Sequence, residues 1–187
     1  MLRRNFFCVL GLALTLPARA VSVLPLSLDQ MIDTAATAFE GTCTANRVER
    51  DAATNLIVTH TTFLVKEVLK GAVSDMHTIK QIGGELAEAG LGYRVSGVPS
   101  FAVGQDYVVL LAGVSAAGFS SPIGLAQGRF TVRQTGSGPK VSNGRNFREM
   151  TVRMPSAVLP GGNADVGQLD LEDFKQLVRA RATGRTQ

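Results

Sequence analysis

Two hydrophobic periods alternate along the chain. In 27–36, SLDQMIDTAA, Leu28, Met31, Ile32, Ala35 and Ala36 recur at i, i+3, i+4, i+7 and i+8, the spacing of a single helical face. Ser27 and Gln30 stand at capping-box distance just ahead of that run, so a short amphipathic helix is predicted there. From residue 38 the period falls to two. In AFEGTCTANRV, Phe39, Gly41, Cys43 and Ala45 share one side, and Glu40, Thr42, Thr44 and Asn46 share the other. That is a strand with Cys43 turned inward. Turn residues RDAATN, 50–55, lead into LIVTHTTFLVKEVLKG, 56–71, which is rich in β-branched residues and puts Ile57, Phe63 and Val65 on one side. The two segments are predicted to pair as a hairpin. Consecutive Val68 and Leu69 break the alternation, and a bulge or strand end near Glu67 accounts for the slip.

The pattern continues with HTIKQIGG, 77–84, a short strand closed by two glycines, and ELAEAGLG, 85–92, expected as a helical turn or loop. In GVPSFAVGQDYVVLLAG, 97–113, Val98-Pro99 imposes extended backbone, Gly104-Gln105-Asp106 marks a turn, and Tyr107 to Leu111 form a strand apolar on both sides. Such a strand is packed from both faces, here by a barrel core and a flanking helix, and Phe101 is expected to plug the barrel mouth. Small residues fill a loop over 113–128, and RFTVRQTGSGPKVSNGRN, 129–146, is expected to form a hairpin turning at Thr135-Gly136-Ser137-Gly138. An irregular crossing follows over 148–168, with two prolines and a Gly-Gly. The stretch 169–182 then sets Leu171, Phe174, Leu177 and Val178 on one face, with Asp170, Glu172 and Asp173 leading and Arg179 and Arg181 trailing. The charges suit the dipole of a helix.

The first twenty residues change the picture of where the chain goes. MLRRNFFCVLGLALTLPARA has Arg3 and Arg4, an apolar run from Phe6 to Leu16, and Ala18-Arg19-Ala20, the features of an export signal cleaved after Ala20. The run is shorter than the ~20 apolar residues of a membrane-spanning helix, and a membrane anchor is not expected. Arg3-Arg4 followed by Asn5-Phe6-Phe7 also resembles a twin-arginine signal, although Leu2 precedes the pair, so both export routes stay open. Cys8 lies inside the signal, which does not favour lipid attachment. Loss of Arg3, Arg4 and Arg19 takes 19 basic residues to 16 against 15 acidic, a net charge of +1. The basic balance therefore belongs mostly to the signal. A nucleic-acid partner, which needs a concentrated basic stripe, is not expected, since Arg179, Arg181 and Arg185 read as a solvated helix end.

What remains after cleavage is about 167 residues, enough for one domain that buries roughly 70% of its unfolded surface without disulfides. Cys43 is then the only cysteine, which excludes an internal disulfide framework and favours a buried thiol over a reactive one.

A helix followed by AFEGT, FLVKEVLKG, GVPSFAVGQDYVVLL and GLAQGRFTV resembles secreted bacterial domains of the tissue-inhibitor-of-metalloproteinase and netrin-module type over about residues 27–134. The resemblance implies a mainly β fold with flanking helices: a five-stranded OB-like barrel with a short N-terminal helix and a C-terminal helix. Together with the residue pattern outside that stretch, the expected division is a signal peptide (1–20), an OB-like barrel domain with its N-terminal helix (21–147), and an irregular crossing, C-terminal helix and basic tail (148–187). The resemblance also implies a non-enzymatic binding or inhibitory module. The metal-chelating amino-terminal cysteine of those inhibitors has no counterpart, because Val21 would lead the mature chain and Cys43 has no disulfide partner.

No catalytic, metal or cofactor motif stands out. His60 and His77 are the only histidines and neither belongs to a zinc motif. GLAQG has Ala126 where a nucleophile elbow needs Ser, and GGELAEAG lacks the Lys-Ser/Thr of a phosphate loop. Alternation puts Cys43 and His60 on opposite sides of the predicted hairpin, against a Cys-His pair. Glu85 and Glu88 share a face but have no apolar setting to shift them. Tyr93 and Arg94, beside the Phe101 loop, are residue types enriched at binding hot spots. The expected function is an exported interaction module, periplasmic or secreted, contacting another exported protein through Tyr93, Arg94 and Phe101 within the 85–101 segment. Inhibition of a co-secreted peptidase by loop insertion, and an enzyme with Cys43 as nucleophile, are the alternatives.

Overall fold

A computed structural model describes residues 24–86, 90–151 and 167–184. The expected export signal, Glu88, most of the crossing and Arg185 lie outside the described residues. Helix α1 (Leu28–Thr34) starts where the sequence placed it, with Gln30 Oε1 accepting from the Ser27 amide at 3.0 Å and from its hydroxyl at 2.9 Å. Strands β1 (Thr37–Arg50) and β2 (Ile57–Lys70) pair antiparallel as the expected hairpin. Their turn is held by Asp51, whose carboxylate accepts from the Thr54 amide and hydroxyl. The pairing skips Lys66 and Leu69, so bulges flank Glu67 as the broken alternation foretold.

Beyond the hairpin come β3 (Met76–Ile82), β4 (Gly84–Leu86), β5 (Leu91–Tyr93), β6 (Asp106–Leu111), β7 (Arg129–Thr135), β8 (Gly138–Ser142) and β9 (Leu169–Asp170). Helices α2 (Phe147–Met150) and α3 (Leu171–Ala182) complete the chain. Seven strands form one sheet in the order β3-β2-β1-β6-β7-β8-β9, every neighbour antiparallel, while β4 and β5 pair apart. The 85–92 stretch is thus a small hairpin rather than a helical turn. Gly83 and Gly84, both at positive φ, turn the chain back on itself; a Cβ on Gly84 would lie 2.6 Å from Val48 Cγ1. The Gly84–Tyr93 pairing overrides the local helix preference of the Glu, Leu and Ala residues.

The sheet carries a core on each face. On one, α1, α2 and α3 cover Ala38, Val108, Leu110, Phe130, Val132 and Val141, with Phe130 and Phe174 rings 4.5 Å apart. On the other lie Phe39, Cys43, Phe63, Ile79, Phe101, Tyr107, Val109 and Leu111. Strand β6 feeds both by strict alternation, which is why it is apolar on each side. Among the described residues no helix contributes to the second core. Its members come from β3, β2, β1 and β6 and from Phe101 of the 95–105 loop. The free edge of β3 meets the 113–121 loop: Ser120 N donates to Lys80 O at 3.0 Å, and Lys80 Nζ reaches Ala117 O at 2.9 Å and sits 4.7 Å above the Phe119 ring.

This pairing is not a closed five-stranded barrel, because β3 and β9 end the order and do not pair with each other. Where a closing strand would run beside β3, the chain supplies a loop of small residues whose Gly118 sits at φ 80. Two further expectations are corrected by packing. Glu40, placed on the polar side of β1, is buried and faces α3, where Lys175 Nζ lies 2.9 Å from it, 2.9 Å from Glu67 and 2.5 Å from Glu172. Arg179 pairs with Glu67 as well. Asn46 turns to the Cys43 side because a bulge between Cys43 and Ala45 shifts the register by one residue.

Candidate functional site

The inner face of the curled strands changes character along its length. Beside Cys43, Phe63 and His77 it is aromatic, with Phe63 edge-on to Phe101 and Phe101 edge-on to Tyr107, both at 5.0 Å. One pair further along β2 come Asn46, Thr61 and Ile79, then Val48, Thr59 and Gln81. The β4–β5 hairpin and the 95–101 loop stand over this polar half and leave a cleft of about 630 Å³, within the range of ligand sites.

Each wall is fixed by named bonds. Asn46 Nδ2 donates to Phe101 O at 2.8 Å and Asn46 Oδ1 accepts from Thr61 Oγ1 at 2.7 Å. Thr59 Oγ1 donates to Gly83 O at 2.6 Å, anchoring the glycine pair. From behind, Arg129 Nη1 donates to Ser100 O at 2.6 Å, and the Tyr107 hydroxyl accepts from the Ala102 amide at 2.9 Å. Gln81 behaves differently: it is only 3% exposed, it lines the cleft, and its Nε2 has no hydrogen-bond partner.

Of the three residues singled out in the sequence, all line this cleft, in different ways. Tyr93 is 46% exposed at the end of β5, and Arg94 is more open still, with Nη2 3.0 Å from Glu85 Oε1. Phe101 is buried to 4% exposure in the aromatic core, with little of its ring left for a partner; because the sheet does not close into a barrel, there is no mouth for it to plug. Sequence reasoning missed Asn46, Thr61 and Gln81. A signal for Gln81 existed, since alternation in HTIKQI puts it on the side of buried Ile79.

Cys43 is fully buried, and burial pushes its thiol above the ordinary range. His60 pairs across from Arg47 and approaches Glu49 at 3.0 Å, on the face opposite Phe63 and Cys43 by alternation. Among the described residues no three His, Cys, Asp or Glu side chains gather as metal ligands, and no helix is long and apolar enough to cross a membrane. The fold and cleft define a mainly β protein built on a seven-stranded antiparallel sheet. Compared with known protein families, curated proteins and solved structures, the chain matches none.

Proposed function

We propose that the protein is an exported, non-catalytic interaction module that contacts another exported protein through the cleft rimmed by Tyr93 and Arg94. The observation that carries this is the cleft itself: Tyr93, Arg94 and Phe101 all line one cavity, with an amphipathic ring and a guanidinium at its open edge. These are the side chains that anchor interfaces. The kinship with inhibitor and netrin modules belongs to the same proposal. What agrees with it is the coarse architecture alone: a mainly β, antiparallel sheet in which β1, β2, β3 and β6 share an aromatic core. A nucleophilic role for Cys43 draws no support from a buried thiol whose proton is held more tightly than usual.

Tyr93→Ala combined with Arg94→Ala is expected to abolish capture of the partner from a periplasmic extract while leaving Tm unchanged. Undiminished capture by the double variant would overturn the proposal. Addition of the protein to a co-secreted peptidase separates inhibition from simple binding.

A further inference from the structure

We propose that Asn143 is a self-modifying site: it loses its side-chain amide to the following backbone nitrogen, and the change unfastens the chain at residues 24–26. Asn143-Gly144 is the sole Asn-Gly pair in the sequence, and a glycine has no side chain to shield its own amide nitrogen. In the reaction Gly144 N bonds to Asn143 Cγ, the Cγ–Nδ2 bond breaks, and Nδ2 departs as ammonia with the proton that Gly144 N gives up. Water then opens the cyclic imide, leaving either aspartate or the β-linked isoaspartate at this position. Nothing is oxidised or reduced, and water is the sole co-reactant.

The hydrogen bonds around Asn143 set both when this happens and what it does. Asn143 Nδ2 donates to Gln127 O at 2.8 Å and to Met150 Sδ at 3.5 Å, Asn143 Oδ1 accepts from the Arg145 amide at 3.1 Å, and the attacking Gly144 amide donates to Ser142 Oγ at 3.1 Å. With both ends of the carboxamide and the nucleophile engaged, the reaction waits on local opening of the 142–145 turn. The same turn is half of a clasp on residues 24–26. Gln127 bridges two backbone groups there, its Oε1 accepting from the Leu26 amide at 2.9 Å and its Nε2 donating to Leu24 O at 3.0 Å, while Arg145 Nη1 donates to Leu26 O at 2.9 Å. Aspartate at 143 turns an acceptor toward Gln127 O where a donor stood, so that carbonyl loses its partner. Isoaspartate adds a backbone carbon ahead of Gly144 and shifts Arg145 out of register with Leu26 O.

The test incubates the full mature chain in mildly alkaline buffer, native and in guanidinium chloride, and follows amide-to-acid conversion by peptide mapping with isoaspartate detection. Conversion is expected at Asn143 ahead of Asn46 and Asn55, and about tenfold slower in the native protein than in the unfolded chain. Gln127→Ala removes the clasp but leaves the Asn143-Gly144 pair and the backbone carbonyl at 127, and its native conversion is expected to be faster than the parent's. Should circular dichroism show that variant misfolded, Arg145→Gln, which frees Leu26 O alone, takes its place. Converted protein, separated by anion exchange, is expected to exchange its Leu26 amide hydrogen about tenfold faster than unconverted protein. The proposal is overturned by no conversion at Asn143 in the unfolded chain, by equal rates in native and unfolded protein, by a clasp variant that converts no faster than the parent, or by Leu26 exchange that conversion leaves unchanged.

Discussion

Burial governs the chemistry of single residues on the inner face. Cys43 is sealed between Phe39, Phe63 and Phe101 in the second core, and its raised pKa follows from that desolvation. A thiol reagent is therefore expected to react slowly with the native protein and rapidly once it is unfolded in denaturant; fast native labelling would contradict the packing. Phe63, fully buried beside it, should cost about 3–5 kcal/mol when cut to Ala, measured by denaturant unfolding. His77 stands edge-on to Phe39 at 5.4 Å, and burial lowers its pKa. The folded state thus binds this proton less readily than the unfolded chain, so stability is full above the ordinary histidine range and falls as pH drops through it. His77→Phe keeps a ring against Phe39 and should flatten the fall of Tm as pH drops below about 6.5. Cys43 and Phe101 were legible in the sequence because alternation and aromatic burial are local signals. Asn46 was not, because the bulge that turns it is set by its pairing with β2.

At the scale of elements, α3 is docked by charge as well as by Phe174 and Val178. Lys175 is 6% exposed, and although burial opposes its charge, hydrogen bonds to Glu172 and Glu40 raise its pKa. That contribution is fully present at neutral pH and is lost only when alkali rises past the raised value. Lys175→Ala leaves Glu40 buried without its partner and should cost about 3–5 kcal/mol, whereas Glu40→Leu with Lys175→Met should lie close to the parent in chemical denaturation. The helix itself was readable from its 3.6-residue stripe and flanking charges, but Glu40 was not: period two assigns it to the polar side, and only the arrival of a helix 135 positions later makes that side an interior. The β4–β5 hairpin was hidden for a similar reason, its strands being three residues each, too short to show a period.

For the whole molecule, three lowered carboxylates sit at separate joints. Asp51, held at about 2 chiefly by its hydrogen bond from Lys80 and then by Thr54, ties the β1–β2 turn to β3. Asp33, lowered first by its hydrogen bond from Arg181, ties α1 to α3. At Asp106 burial works upward, but hydrogen bonds from Lys66 and Thr42 win and lower it, tying β6 to β2 and β1. Each contributes stability that is present above the ordinary carboxylate range and lost as pH falls through its lowered value. Acid unfolding should therefore set in below about pH 4, and Asp51→Asn should flatten the part of that transition nearest pH 2, as followed by circular dichroism. The mainly β class was legible from period-two runs, whereas the open order of the sheet was not, because a loop takes the position beside β3 that a closing strand would occupy.

The contact between Asp33 and Arg181 spans 148 positions, and the helix-covered core joins Leu28 to Val178. That interior cannot seal until both ends of this span are in place, and contacts of such long sequence separation form slowly. The β1–β2 hairpin, whose partners lie close in sequence, is expected to form well before that face closes.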